Sequence, residues 1–194
     1  MDNCQAEAEK ELLARARHCP EAFGRLYNQN YPAILNYCIR RTGDVELAQD
    51  ITAETFVKAL KNIGRFEWRS DGSFSAWLYR IAGNELAGYF RKGTYKAVSL
   101  DFLRESQGFE PAAFDELEAE LIAAQEELAR HREFLDCRQQ ISLLPLKYQE
   151  VIALRFFAGK SHKEIAGILG KPEGTVKSLL HRGLERLRKQ LDKR

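Results

Sequence analysis

The stretch "SHKEIAGILGKPEGTVKSLLHRGLERLR", residues 161–188, decides how the whole chain is read. Ser161 and Glu164 make an S-x-x-E capping box ahead of the apolar positions Ile165, Ile168 and Leu169, so a short helix starts at Ser161. Gly170 is the natural residue just past its end, and Pro172 stands where a following helix places its first residue. In that second helix Val176, Leu180, Leu184 and Leu187 recur at helical spacing, while Lys177, Ser178, His181, Arg182, Arg186 and Arg188 take much of the remaining surface. Two helices joined by a turn of about three residues, the second one basic, make a helix-turn-helix, whose second helix fits the major groove of B-DNA. An ordinary helical hairpin with a solvated basic face is the competing reading.

Charge outside the stretch favours the first reading. From Asp101 to Glu127 nine acidic residues face a single Arg104, whereas from Cys137 to Arg194 thirteen basic residues outnumber five acidic ones. The formal net charge of +2 conceals this polarity, and a basic C-terminal module is the electrostatic footprint of a nucleic-acid binder. The four cysteines, Cys4, Cys19, Cys38 and Cys137, lack C-x-x-C spacing and the four histidines do not cluster with them, so no metal or cofactor is expected. No Gly-rich phosphate loop or nucleophile motif argues for an enzyme. The N-terminal residues carry acids and no apolar signal segment, and no apolar run approaches membrane-spanning length. A soluble, cytoplasmic protein is expected.

Helical periodicity pervades the 194 residues and predicts an all-α fold. Helices are expected over Pro20–Arg41, Val45–Ile63, Phe74–Arg91, Phe114–Leu143 and Leu146–Phe157, followed by the pair already described. The aperiodic segment from Thr94 to Pro111 is the best boundary. It divides the chain into an N-terminal module (1–93), an acidic flexible linker (94–113) and a C-terminal module (114–194).

Between the second and third expected helices lies a loop with Arg65, Phe66, Trp68 and Arg69, the flat rings and guanidinium groups that hold unstacked bases. The same rings would also serve simply to cover a small core. On the helix from Phe74, the residues Phe74, Leu78, Ile81 and Leu86 are expected to face inward. Trp77, Arg80, Asn84 and Arg91 share another face: an amide that pairs with base edges, guanidiniums for phosphates, and a ring that suits either stacking or the core. The stripe Phe114, Leu117, Leu121, Ala124, Leu128, His131, Leu135 suits packing within the C-terminal module or on a partner.

Four segments in order, "DITAETFVKAL" (50–60), "FSAWLYRIAGNE" (74–85), "LPLKYQEVIALRFFAGKSHKEIAGILG" (144–170) and "EGTVKSLLHRGLERLR" (173–188), resemble a bacterial sigma factor of the extracytoplasmic-function type, the compact form with only regions two and four. The resemblance implies a promoter-specificity factor rather than an enzyme. Asp50, Glu54, Phe56 and Lys58 would bind the β′ clamp of core RNA polymerase, and region four would lie near the β flap. Arg65, Phe66, Trp68, Arg69, Trp77, Arg80, Asn84 and Arg91 would melt and read the minus-ten element of promoter DNA. Ser161, Glu173, Gly174, Thr175, Lys177, Ser178, His181, Arg182 and Arg186 would read the minus-thirty-five element, and an anti-sigma factor is an expected partner. The chain departs from the family pattern at Ala53 (commonly Gln), Leu179 (commonly Arg) and Pro172 (commonly a capping Ser). A free-standing helix-turn-helix regulator is the alternative, but it leaves residues 50–60 and the aromatic loop without a role.

Overall fold

A computed structural model describes residues 3–67, 73–91 and 134–192, and every regular element among them is helical. The expected linker, most of the helix expected from Phe114 with its apolar stripe, and the loop residues Trp68 and Arg69 lie outside the described residues. The N-terminal half comprises α1 (Asn3–Ala16), α2 (Pro20–Thr42), α3 (Val45–Asn62), a 3-10 turn (Ile63–Arg65) and α4 (Phe74–Arg91). The sequence reading named no helix ahead of Pro20, so α1 is an addition.

Local chemistry explains the boundaries. Pro20 opens α2, where its missing N–H costs nothing, and Gly43 ends it in the left-handed conformation at φ 70°. Asp44 then caps α3 by accepting the Leu47 N–H at 3.0 Å. This two-residue link folds α3 back onto α2. Leu26, Ile34, Tyr37, Phe74, Leu78 and Leu86 are buried between α2, α3 and α4, each stabilising the fold by roughly 1.5–3 kcal/mol. Thr52 and Thr55, buried on α3, return their hydroxyls to the carbonyls of Ala48 and Ile51, leaving neither unsatisfied. On α4 the inward set differs by one place from expectation: Tyr79 and Ala82 are buried, and Ile81 is only half-buried.

The C-terminal half begins with α5, the helical residues 134–142, and continues through α6 (Leu146–Ile152), a π-helical turn (Ala153–Phe157), α7 (His162–Leu169) and α8 (Glu173–Leu191). One uninterrupted helix was expected over Leu146–Phe157. Instead the Ala158 N–H reaches back to the Ala153 carbonyl at 3.0 Å, the five-residue spacing of a π turn. The reason is burial on two sides: Val151, Ile152, Ala153 and Leu154 are all buried in succession, between α8 and α2, while Phe156 is turned out. The helical pair forms as its caps predict, with both arms of the Ser161–Glu164 box made and Gly170 at φ 62°. Pro172 sits one place earlier than expected, at the cap of α8 rather than inside its first turn. Gly183 replaces Leu184 in the buried stripe of α8, because the backbone there approaches Ile152 and Tyr148 too closely for a large side chain.

The two halves are packed together through α4 on α7 and α2 on the π turn, an arrangement that no local pattern foreshadows. Buried Arg41 donates to Gln149 Oε1 at 3.2 Å, and Arg138 donates to the Thr42 carbonyl at 2.7 Å. The Arg138 guanidinium fills the place a side chain would take at Gly43, so that glycine serves both a positive φ and the docking of the halves. Lys160 lies over the Tyr79 ring at 4.8 Å.

Candidate nucleic-acid interface

The N-terminal candidate surface is built on a cluster of three rings. Phe74, fully buried at the start of α4, supports Trp77 at 5.6 Å and Phe66 at 6.0 Å, and Phe66 lies 4.8 Å from Trp77. Phe66 and Trp77 are half-buried, so each covers the core with one face and keeps part of its surface open. Both line a cleft of about 860 Å³, together with Arg65, Arg80 and Asn84. Arg91 lies on the same helical face but two turns beyond Asn84 and is not part of the cleft. Five of the six described residues expected on this surface therefore converge.

The opposite wall belongs to the C-terminal half: Lys163, Gly167, Gly170, Lys171 and Glu173, from α7, the turn and the start of α8. Arg80 crosses the cleft and donates through Nε to the Ile168 carbonyl at 2.8 Å and through Nη2 to the Gly167 carbonyl. A guanidinium at the C-terminal end of α7 meets carbonyls that lack helical partners and the negative end of the helix dipole. Lys163 and Lys171 were missed by sequence reasoning, since nothing in their spacing places them opposite Trp77.

On α3, Asp50 and Glu54 are exposed. Phe56 requires correction as a contact residue: it is 4% exposed, its ring 4.6 Å from Tyr27, and it belongs to the core. Val57, 42% exposed, takes the outward position beside Asp50, Ala53 and Glu54, with exposed Leu60 nearby. Counting along the helix from buried Ile51, Thr55 and Ala59 puts Val57 on the far side. Lys58 ties the helix to α4 through Glu85 at 2.6 Å and also meets Glu54 at 3.4 Å. The hydrogen bond that Lys58 donates to the Glu85 carboxylate leads the causes that push the Lys58 pKa up.

On α8 the exposed face carries Gly174, Ser178, His181 and Glu185, with Lys177 on one flank and Thr175 and Arg182 on the other. Glu173 pairs with Lys177 at 2.9 Å, and Ser178 donates to the Thr175 carbonyl at 2.9 Å. Arg186 is turned towards the body of the domain, its guanidinium 5.2 Å from the Tyr148 ring. The Ser161 hydroxyl is engaged with Glu164 at 2.7 Å, a capping role.

The two halves match two known families: Sigma-70 region 2 over residues 26–94, and Sigma-70, region 4 over residues 135–187. The RNA polymerase sigma factor YlaC of Bacillus subtilis is 34% identical over 169 residues, covering 87% of this chain and 91% of that protein. The ECF RNA polymerase sigma factor SigW of Bacillus subtilis is 35% identical over 88% of this chain and 89% of that protein. The chain belongs to the ECF RNA polymerase sigma factors. The sigma factor BldN of Streptomyces coelicolor is 33% identical over 93% of this chain, which spans 65% of BldN's length. Among solved structures, CnrH in complex with the cytosolic domain of CnrY superposes with a TM-score of 0.65 at 25% identity, covering 95% of this sigma factor and 97% of CnrH. No helix among the described residues of this sigma factor is long and apolar enough to cross a membrane.

Proposed function

We propose that this sigma factor joins core RNA polymerase and directs it to promoters, with residues 1–93 engaging the β′ clamp and the minus-ten element and residues 114–194 reading the minus-thirty-five element near the β flap. The observation that carries this reading is the convergence of Phe66, Trp77, Arg80 and Asn84 on one cleft, because two half-open rings, a guanidinium and an amide together suit an unstacked base and its backbone. Asp50, Glu54 and Val57 on the outward face of α3 offer a mixed acidic and apolar strip for a helical partner. Gly174, Thr175, Lys177, Ser178, His181 and Arg182 present small, polar and basic groups that fit a major groove.

The chain supplies binding energy, and bond formation belongs to the polymerase. Base capture offsets the unstacking cost of opening, roughly a few kcal/mol. Each module alone binds weakly, and attachment to one polymerase surface raises the effective concentration of the second once the first is engaged. The closed cleft must open for this, since Arg80 cannot hold α7 and DNA at once. A sequestering partner, an anti-sigma factor, would act by holding the two halves off polymerase, and the cytoplasm is where the factor meets its target. Run-off transcription with purified core polymerase on a genomic promoter pool tests the reading. Discrete start sites that appear only with the chain support it, and the same transcripts with or without the chain would refute it.

A further inference from the structure

The two ends of the segment bearing Phe66 are held by an element with no assigned role. Glu9 on α1 accepts the Phe74 N–H at 3.2 Å, and Arg17, just past the end of α1, donates through Nη2 to the Phe66 carbonyl at 2.8 Å. These bonds span 65 and 49 residues of sequence and reach either end of the same segment. Glu9 lies one helical turn before buried Leu13, on the inner face of α1 with Ala16, where an acid is out of place unless it has a partner. Its partner is the first N–H of α4, which has no acceptor within its own helix and lies at the positive end of the helix dipole. Ser73 Oγ accepts the Ala76 N–H at 3.2 Å, so side chains from two parts of the chain cap the same helix end. Burial pushes the Glu9 carboxyl up from its ordinary range, and the Phe74 N–H opposes this.

We propose that α1 is a brace for minus-ten recognition, in which Glu9 and Arg17 are positioning residues that fix Phe74 and Phe66 and thereby set the Phe66–Trp77 pair at the cleft. The proposal rests on the reading that this pair holds a base. Neither residue touches DNA in the scheme. Glu9 fixes where α4 begins, and Trp77 follows Phe74 by one turn. Arg17 fixes the backbone from which the Phe66 ring projects. The geometry of the two rings therefore depends on a helix that precedes the region-2 match.

The test uses full-length Glu9→Ala, Glu9→Gln, Arg17→Ala and Phe66→Ala variants in holoenzyme. Open-complex formation is followed by permanganate reactivity on a duplex promoter and on the same promoter with a pre-melted minus-ten bubble. Affinity for core polymerase and the melting temperature are measured alongside. Glu9→Ala should lower opening on duplex about three- to tenfold and exposed Arg17→Ala about two- to threefold, the scale of one lost hydrogen bond. Glu9→Gln keeps an acceptor and should retain most of the activity. Core affinity should stay within about twofold, and the bubble should relieve much of each defect. Arg17 keeps the test available if Glu9→Ala does not fold. Normal opening by the folded Glu9→Ala and Arg17→Ala variants, beside a defective Phe66→Ala, would overturn the brace and leave the base-capture reading standing. A loss that follows core affinity and melting temperature and is not relieved by the bubble would reduce α1 to a structural helix. Normal opening by Phe66→Ala would remove both.

Discussion

Single residues at the two candidate surfaces serve stability and binding to different extents, and substitutions separate the two. Ser161→Ala removes the hydroxyl that caps α7 and should cost about 1 kcal/mol, lowering the melting temperature by roughly 2–4 °C in a chain of this size. Burial alone would raise the Glu164 carboxyl, but hydrogen bonds from the Ser161 N–H and hydroxyl, with Lys160 nearby, leave it below the ordinary 4.5. A carboxyl lowered in the folded state stabilises above its unfolded pKa, and that contribution fades as pH falls through the lowered value. Glu164→Gln should therefore flatten the loss of stability below about pH 4.5, and an acid titration by circular dichroism reads it. At the cleft, Phe66→Ala should spare core binding and lower opening by one to two orders of magnitude, given about 1–3 kcal/mol per base stack. Permanganate footprinting with a melting curve checks this, and equal losses of core binding and stability would show a packing role only. The capping box and Gly170 were legible in the sequence because their chemistry spans four residues. Phe56 was not, because its burial depends on Tyr27 and Tyr31 from another helix.

For whole elements, legibility followed the same division between local and distant causes. Most helices fell where periodicity and caps put them, with α4 matching at both ends. The π turn was hidden because it answers to packing against α2 on one side and α7 on the other. In α1, Leu12, Leu13 and Ala16 carry an apolar pattern too short to stand out in a charged segment. The recognition helix α8 was legible except at Gly183, where close approach to α6 overrides side-chain hydropathy. Its outward face leads to a prediction about salt. Lys177→Ala and Arg182→Ala, on opposite flanks, should each weaken holoenzyme binding to minus-thirty-five DNA, and each phosphate contact removed should reduce the slope of log affinity against log salt by about one. The Lys177–Glu173 pair is exposed and contributes little to stability, so melting temperatures should hardly change. Wild-type affinity for both variants at every salt concentration would mean that α8 meets DNA through another face.

At the scale of the molecule, the halves meet through Arg41, Arg138, Arg80 and Lys160, all basic residues, directed at carbonyls, an amide and a ring. Two modules on a linker were legible, but not their docking, since each of these contacts pairs residues about 80 or more apart. Arg138→Ala, which removes the bond to the Thr42 carbonyl without touching either candidate DNA surface, should shift the chain towards extended forms. Small-angle scattering would register a larger radius of gyration, and unchanged dimensions would show that the docking does not depend on this contact. The cleft bridged by Arg80 also bears on how an affinity measured on the free chain is to be interpreted. If only a fraction of molecules is open, the apparent dissociation constant exceeds the intrinsic one by the reciprocal of that fraction, so a chain open one time in about a hundred looks about a hundredfold weaker than its surface is. Weak binding by the isolated factor is then a statement about populations. A surface optimised for DNA and a protein that ignores DNA until polymerase spreads it can be the same molecule.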